Sequence, residues 1–135
     1  MDNNGNAIIT WMQSDGTNQQ VFKAEYRSGA WTNPSSLTDN ISPDGQPVSL
    51  PQVAMDDNGN AIITWPEYDG SNYQIFKSEY RSGAWTNPSS VTDNISPDGQ
   101  PALDQQVAMS NKGTAVITWD QSDATTLQTF MSIYK

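Results

Sequence analysis

The middle of the chain alternates short apolar runs with turn-forming clusters of Asn, Asp, Gly, Ser and Pro. Residues 61–65 are apolar at nearly every position, which is typical of a strand that is covered on both faces. Residues 74–80 instead alternate with a period of two, as in a strand with two different faces. One predicted face carries Phe76, Ser78 and Tyr80, and the other carries Ile75, Lys77 and Glu79. The second of these strands should lie nearer to solvent than the first.

Turn signals divide this part of the chain into four predicted strands. Asn58-Gly59 between two strand-like runs is a strong hairpin signal, and Asp69-Gly70 marks the next reversal. Asn87-Pro88 ends the fourth strand, because proline cannot donate a hydrogen bond to a central ladder. In order, the predicted elements are strand 52–55, turn 57–60, strand 61–65, turn 69–70, strand 74–80, turn 81–84, a short strand from Trp85 and a long connection at 92–100.

The same pattern occurs three times at a spacing of 54 residues. By direct count, 41 of the 54 residues in 1–54 are identical in 55–108, and the run 25–36 is shared without a break. The third copy is more divergent, with 11 identities among 27 aligned residues. A fixed period of this kind indicates repeated supersecondary units that stack on one another.

The repeat predicts an all-β fold of β-propeller-type blades, each with four antiparallel strands and a long return to the next innermost strand. About 2.5 repeats of 54 residues are present, which gives three, four and three strands. We divide the chain into a first blade without its first strand (1–49), a complete second blade (50–103) and a third blade without its last strand (104–135). Atypical terminal copies are usual in such arrays.

Composition alone argues against a folded chain, but the aromatic residues reverse that expectation. Leu, Ile, Val and Phe make up only 22 of the 135 residues and the net charge is −9, a balance typical of disorder. Trp and Tyr nevertheless recur at matched positions of the repeats. Each of these side chains buries a large area, so a few of them can hold a small core. We therefore expect a folded domain.

The charge balance also limits the partners. With no His and only six Lys plus Arg, the chain lacks the basic surface that nucleic acid or an anionic membrane would require. No apolar run is long enough to span a bilayer, and residues 1–20 lack the layout of a signal peptide. The absence of Cys excludes disulfides, and we expect no cofactor. We leave the compartment open and favour an extracellular or cell-surface origin.

The strand order and the turn residues resemble a blade of the sialidase-type (BNR, or Asp-box) propellers. That family carries the box Ser-x-Asp-x-Gly-x-Thr-Trp on the turn between its third and fourth strands. Here Ser78 and Trp85 hold the first and last places, whereas Tyr80 replaces the Asp and the Gly is displaced to Gly83. In the first copy Ala24 replaces the Ser. The resemblance implies six blades, and hence a homodimer that closes a six-bladed ring. Small fucose-binding lectins have a similar plan.

The residues present argue against catalysis. Sialidase activity in the resembling family uses three arginines, whereas this chain has only Arg27 and Arg81, at equivalent places of two repeats. With no His and no Cys, most nucleophile–base pairs are absent as well. A sialidase-like glycoside hydrolase using paired carboxylates stays open as the less favoured alternative. We expect no enzymatic activity.

One recurring group has a recognisable binding chemistry, because Glu and Arg can hydrogen-bond sugar hydroxyls while Trp stacks on a sugar ring. Its members, the candidate ligand-binding residues, are Glu25, Arg27 and Trp31 in the first copy and Glu79, Arg81 and Trp85 in the second. The alternative, which we favour, is that they pack between blades. The leading function is a non-catalytic repeat module that acts as a scaffold or protein-interaction propeller, by itself or as a fragment of a longer array. Its ligand would be a protein or a glycan. The alternative function is a carbohydrate-binding, lectin-like propeller.

The cluster at 56–60 contains residue types that Ca²⁺ uses as ligands. It lacks the spaced carboxylates and the closing bidentate Glu of a calcium loop. The cluster therefore predicts a hairpin turn, and we expect no metal site.

Overall fold

The computed structural model describes all 135 residues and consists of three antiparallel sheets. Sheet 1 has the order β1-β2-β3, sheet 2 the order β4-β5-β6-β7 and sheet 3 the order β10-β9-β8. The strands are β1 (Ala7–Ser14), β2 (Gln19–Arg27), β3 (Ala30–Thr32), β4 (Gln52–Met55), β5 (Ala61–Tyr68), β6 (Tyr73–Arg81), β7 (Ala84–Thr86), β8 (Ala102–Met109), β9 (Ala115–Ser122) and β10 (Leu127–Tyr134). The all-β prediction with three, four and three strands is confirmed. No helix long and apolar enough to cross a membrane is present.

The predicted strands of the middle repeat are confirmed, and three of them extend further than predicted, β7 by the single residue Ala84. β4 has the predicted bounds, whereas β5 continues to Tyr68 and β6 runs from Tyr73 to Arg81. Every residue of β5 up to Glu67 is buried, as expected for a strand that is covered on both faces. β6 is buried at fewer positions, so it lies nearer to solvent than β5.

The predicted hairpin turns are also present. Between β6 and β7, Ser82 and Gly83 have φ values of 52° and 85°. Two consecutive positive φ angles are typical of a type I′ turn, whose twist matches that of the strands it joins. Between β4 and β5, the Asp56 carboxylate accepts hydrogen bonds from the backbone N–H groups of Asn58 (2.9 Å) and Asn60 (2.8 Å). The acidic cluster at 56–60 is therefore a hairpin turn.

Two apolar layers hold the three sheets together. In both layers the preceding sheet contributes the same two repeat positions, Ile8 and Val21 from sheet 1 and Ile62 and Ile75 from sheet 2. The first layer contains Ile8, Val21, Ile41, Val48, Ala61, Ile63, Trp65 and Phe76. The second layer contains Ile62, Ile75, Ala102, Ala115, Ile117 and Trp119. Alternate residues of β5 thus enter different layers, which explains its continuous apolar sequence.

Sheet 3 begins earlier than the repeat predicts. β8 starts at Ala102, before the boundary between 103 and 104, and its register shifts between Leu103 and Gln106. Asp104 within this bulge has a φ of 55°, and its repeat counterpart Leu50 has a φ of 29°. In sheet 2 the matching segment forms only an isolated bridge, between Val48 and Glu67. The boundary between repeats therefore lies within a bulged first strand.

Two long connections, 33–51 and 87–101, run along the second-to-last strands of sheets 1 and 2. Ile41 N–H donates to the carbonyl of Val21 on β2 at 2.8 Å, and Val21 N–H donates to Ser42 Oγ at 3.0 Å. Ile95 and Ser96 make the same bonds to Ile75 on β6, at 2.7 and 3.0 Å. Each connection is thus fixed by hydrogen bonds beyond the end of the short edge strand.

Candidate functional site

A polar cluster, the first clasp, joins sheets 1 and 2. It consists of Lys23, Glu25 and Arg27 of β2 together with Tyr80 of β6 and Trp85 of β7. The Glu25 carboxylate accepts hydrogen bonds from Lys23 Nζ (2.5 Å), Arg27 Nε (2.8 Å) and Trp85 Nε1 (2.6 Å). Its two oxygens are therefore engaged by donors from both sheets.

The cations of the first clasp also lie against aromatic rings. Arg27 Cζ is 4.0 Å from the centroid of the Tyr80 ring, and Lys23 Nζ is 4.6 Å from the centroid of the Trp85 ring. Both are close enough for a cation–π interaction. The Arg27 guanidinium also covers Gly59 in the turn of sheet 2, where a β-carbon would come within 2.9 Å of Nη1. The clasp thus spans the first two sheets.

The electrostatics of the first clasp keep Glu25 ionised. Burial by itself would raise the pKa of Glu25, but the hydrogen bonds from Lys23 and Arg27 outweigh it and lower the pKa below the usual range. A negative carboxylate between two cations is the arrangement expected of a structural ion cluster. A catalytic acid would instead need a raised pKa.

A related cluster, the second clasp, lies between sheets 2 and 3. The Glu79 carboxylate accepts hydrogen bonds from Lys77 Nζ (2.8 Å) and Arg81 Nε, and Lys77 Nζ is 4.6 Å from the ring centroid of Tyr134. Burial by itself would raise the pKa of Glu79. The hydrogen bonds from Lys77 and Arg81 outweigh this effect, so the pKa lies below its usual range. Sheet 3 has no counterpart of β7, so no indole N–H reaches Glu79. The second clasp is therefore less complete than the first.

The structure brings together the predicted residues across two repeats. Glu25 meets Trp85 of the following sheet and Arg27 meets Tyr80, and Trp31 of their own repeat is not part of the group. Trp31 contacts Tyr26, with ring centroids 5.5 Å apart, and is 48% exposed.

Glu79 and Arg81 lie in the second clasp, away from Trp85. The prediction missed Lys23 and Lys77, although both stand two residues before the Glu on the same face of the strand. That recurring position was the signal that could have identified them.

An open cleft of about 360 Å³ lies beside the first clasp. Trp85 and Lys23 line it together with Thr32 of β3 and residues of the first connection. Its lining residues include Lys23, Thr32, Asn33, Asp39, Asn40 and Trp85. Hydrogen bonds from Ser35 and Ser36 lower the pKa of Asp39 below its usual range. The cleft thus combines an aromatic surface, a cation, a carboxylate and amides.

Two smaller clefts, of about 270 and 300 Å³, occupy equivalent places in the first two repeats. Asp15 and Asp44 line one, and Asp69 and Asp98 line the other. Asp15 already accepts hydrogen bonds from the backbone of its own turn, and Asp44 accepts one from Asn40. No group of three or more acidic side chains is placed to hold a metal ion.

Comparison of the sequence with protein-family models and with curated proteins found no match.

Proposed function

We propose that the chain is a non-catalytic repeat module whose blades stack on one another as a scaffold for assembly or protein interaction. One observation carries the proposal. The recurring residues with binding chemistry are engaged with each other: Glu25 is held by Lys23, Arg27 and Trp85 from two sheets. A site for a substrate would leave such groups free to meet it. The clasps instead join successive sheets.

Self-association follows from the uncovered faces at the two ends of the stack. The outer face of sheet 1 carries Ile9 and Trp31, which are 50% and 48% exposed and correspond to Ile63 and Trp85 of the first layer. The outer face of sheet 3 carries Leu127, Met131 and Ile133, which are 72%, 59% and 52% exposed.

The second copy of this chain is the partner that fits. Sheet 1 of one copy would lie on sheet 3 of another and repeat the contact that sheet 2 makes with sheet 1. At this contact Met131 and Ile133 replace Lys23 and Glu25, so apolar side chains would face Trp31, a pairing that favours sulfur–aromatic contact. Two such contacts related by a two-fold axis give six sheets, as in the six-bladed ring that the resemblance implies.

Light scattering behind a sizing column tests this proposal. We expect a discrete species of twice the 14.8 kDa monomer mass. Ile133→Asp, on the outer face of sheet 3, should convert it to a folded monomer. Leu50→Asp, at an exposed apolar position of the first connection, is the matched control and should leave the dimer intact. A wild-type chain that is monomeric at all concentrations would rule out self-association.

A carbohydrate-binding module is the second candidate, favoured by the cleft beside Trp85. Its indole, amide and carboxylate groups are the kinds that bind sugar rings and hydroxyls. Asn33 lines the cleft without belonging to the clasp. A glycan array should then show a defined ligand that Asn33→Ala loses while remaining folded. Asn111→Ala, in an exposed turn of sheet 3, should retain binding. If no glycan on the array binds, the carbohydrate-binding proposal is wrong and only the scaffold function is left.

A further inference from the structure

One buried position differs in charge among the three repeats. The position lies two residues after the tryptophan of β1, β5 and β9, and it is occupied by Gln13, Glu67 and Gln121, respectively. Gln13 is exposed, whereas Glu67 and Gln121 are buried between sheets. The middle repeat therefore places a carboxyl group where the others have an amide.

Gln121 reveals what this position does in sheet 3. Its Oε1 accepts a hydrogen bond from Trp119 Nε1 at 3.2 Å. Its Nε2 donates to the carbonyl oxygens of Pro97 (2.6 Å) and Gln100 (2.8 Å) in the second connection. Each polar atom of the amide thus has a partner, and the side chain ties the second connection to sheet 3.

The Glu67 side chain makes the equivalent hydrogen bond to its tryptophan but none to the first connection. Its Oε2 accepts a hydrogen bond from Trp65 Nε1 at 2.8 Å, but its Oε1 is buried without a partner. The first connection lies against it, because Val48 bridges to Glu67 and Tyr68 N–H donates to the Pro47 carbonyl at 3.1 Å.

From the bonds of Gln121 we infer which groups the unpartnered oxygen of Glu67 faces. The counterparts of Pro97 and Gln100 are Pro43 and Gln46, which offer carbonyl oxygens. A carbonyl can only accept a hydrogen bond, so a carboxylate at Glu67 would face acceptors, whereas a protonated carboxyl group could donate to them.

The surroundings of Glu67 oppose its ionisation. Burial and, to a smaller extent, the negative charge of Asp44 together raise the pKa of Glu67 to about 8, against the hydrogen bond from Trp65 that lowers it. Asp44 belongs to the first connection and lines a cleft with Asp15. Gln74, the neighbour of Glu67 on β6, is neutral. On the opposite face of β5, Pro66 shares a cleft with Asp104, so that side adds no cation either.

We propose that Glu67 is a proton-dependent latch, which holds the first connection against sheet 2 when protonated and releases it at alkaline pH. In the protonated state its Oε1–H donates to a carbonyl oxygen of the first connection. Loss of that proton to solvent leaves a buried negative charge among acceptors, which water must enter to solvate. The packing of the first connection between sheets 1 and 2 thereby becomes pH-dependent. The packing of the second connection at Gln121 does not, because an amide does not titrate in this range. This inference stands whether or not the chain self-associates.

The titration of Glu67 can be measured directly by NMR of ¹³C-labelled glutamate carboxyl groups. The chain has three glutamates, Glu25, Glu67 and Glu79, so the signals are assignable by substitution. We expect the Glu67 signal to titrate with a midpoint near 8, as its buried position implies, and the other two in the acidic range. A Glu67 midpoint in the acidic range would overturn the latch.

Release of the connection has its own measurement, the protection of backbone amides against hydrogen exchange. The reporters are Ser49 N–H, which donates to the Pro66 carbonyl, and Tyr68 N–H. After correction for intrinsic rates, their protection should fall at least tenfold between pH 6 and pH 9 in the wild type. Glu67→Gln should keep both amides protected throughout. Protection in the wild type that does not change with pH, or a fall that persists in Glu67→Gln, would contradict the proposal.

Two matched variants test whether the position itself confers the effect. Gln121→Glu should create the same pH-dependent loss of protection at sheet 3, with a folded protein at pH 5. Gln13→Glu places a carboxyl group at the exposed counterpart and should produce no such step. A similar step in Gln13→Glu would show that any added charge is sufficient and would overturn the role of burial.

Discussion

At the scale of single residues, Gly59 and Gly5 form a natural matched pair. Both have a positive φ, +81° and +83°, so alanine costs about 1 kcal/mol at either place. Only at Gly59 would the new β-carbon meet a neighbour, Arg27 Nη1 at 2.9 Å, whereas Gly5 faces open space. We expect Gly59→Ala to lower the free energy of unfolding by roughly 1 kcal/mol more than Gly5→Ala, because it displaces the Arg27 cation from Tyr80. Urea unfolding measures both in the Ile133→Asp background, where no second copy covers sheet 1, and equal losses would contradict this placement of Arg27.

The two tryptophans at equivalent repeat positions should also respond differently. Trp85→Phe removes the indole N–H that donates to ionised Glu25 at 2.6 Å. Hydrogen bonds to charged groups contribute about 1.5–3 kcal/mol, so we expect a loss of that order in the free energy of unfolding. Trp31→Phe, at a half-exposed position with no such bond, should change it by less than about 0.5 kcal/mol. Chemical denaturation checks both in the Ile133→Asp background, where no second copy covers Trp31, and a Trp31 variant as unstable as the Trp85 variant would refute the role of the clasp.

The sequence identified Glu, Arg and Trp as a recurring group, but it placed Glu25 and Arg27 with Trp31 of their own repeat rather than with Trp85. The repeat shows which positions have the same role in each copy. It does not show whether the side chain that each residue contacts comes from its own sheet or from the next one. Trp85 and Glu25 are 60 residues apart, so their contact depends on how two sheets pack. Glu67 was missed for a related reason, since a single departure from the repeat has meaning only once its burial and its counterparts' bonds are known.

At the scale of elements, one buried serine hydroxyl group adds to the backbone hydrogen bonds that hold each long connection. Ser42 Oγ accepts from Val21 N–H and donates to the buried Gln20 side chain. Ser42→Ala leaves both partners unsatisfied, which we expect to cost about 1–3 kcal/mol. Hydrogen exchange should show the loss first at Val21 and Ile41. Ser71→Ala, at an exposed turn position, is the control and should change neither amide. Unchanged protection of Val21 in Ser42→Ala would contradict this role.

The sequence predicted the strands far better than the connections. Strand periodicity and Asn-Gly or Asp-Gly turns are local signals, and they located β4, β5 and β6. The connections contain Ser, Pro and Gly and read as loops, so their hydrogen bonds to Val21 and Ile75 could not be inferred. The early start of β8 was missed because it depends on a bulge at Asp104, where the repeat diverges in sequence.

At the scale of the whole molecule, two sets of acidic groups act on stability in opposite directions. Glu25 and Glu79 have lowered pKa values, so their contribution is complete above the ordinary pKa of glutamate and is lost as the pH falls. Glu67 has a raised pKa, so its contribution is complete below 4.5 and is lost as the pH rises towards about 8. Stability should therefore be greatest in weak acid.

One substitution separates the contribution of Glu67 to the pH dependence of the free energy of unfolding from that of Glu25 and Glu79. Between pH 5 and pH 8.5 we expect the free energy of unfolding of the wild type to fall by about 2–4 kcal/mol, since each unit of pKa difference corresponds to about 1.4 kcal/mol. Glu67→Gln should abolish this fall but retain the loss below pH 4, because Glu25 and Glu79 still become protonated there. Urea unfolding across the pH range distinguishes the two limbs. A wild type that gains stability from pH 5 to pH 8.5 would mean that Glu67 is ionised in the folded state, and the buried carboxyl group would then need a donor other than Trp65.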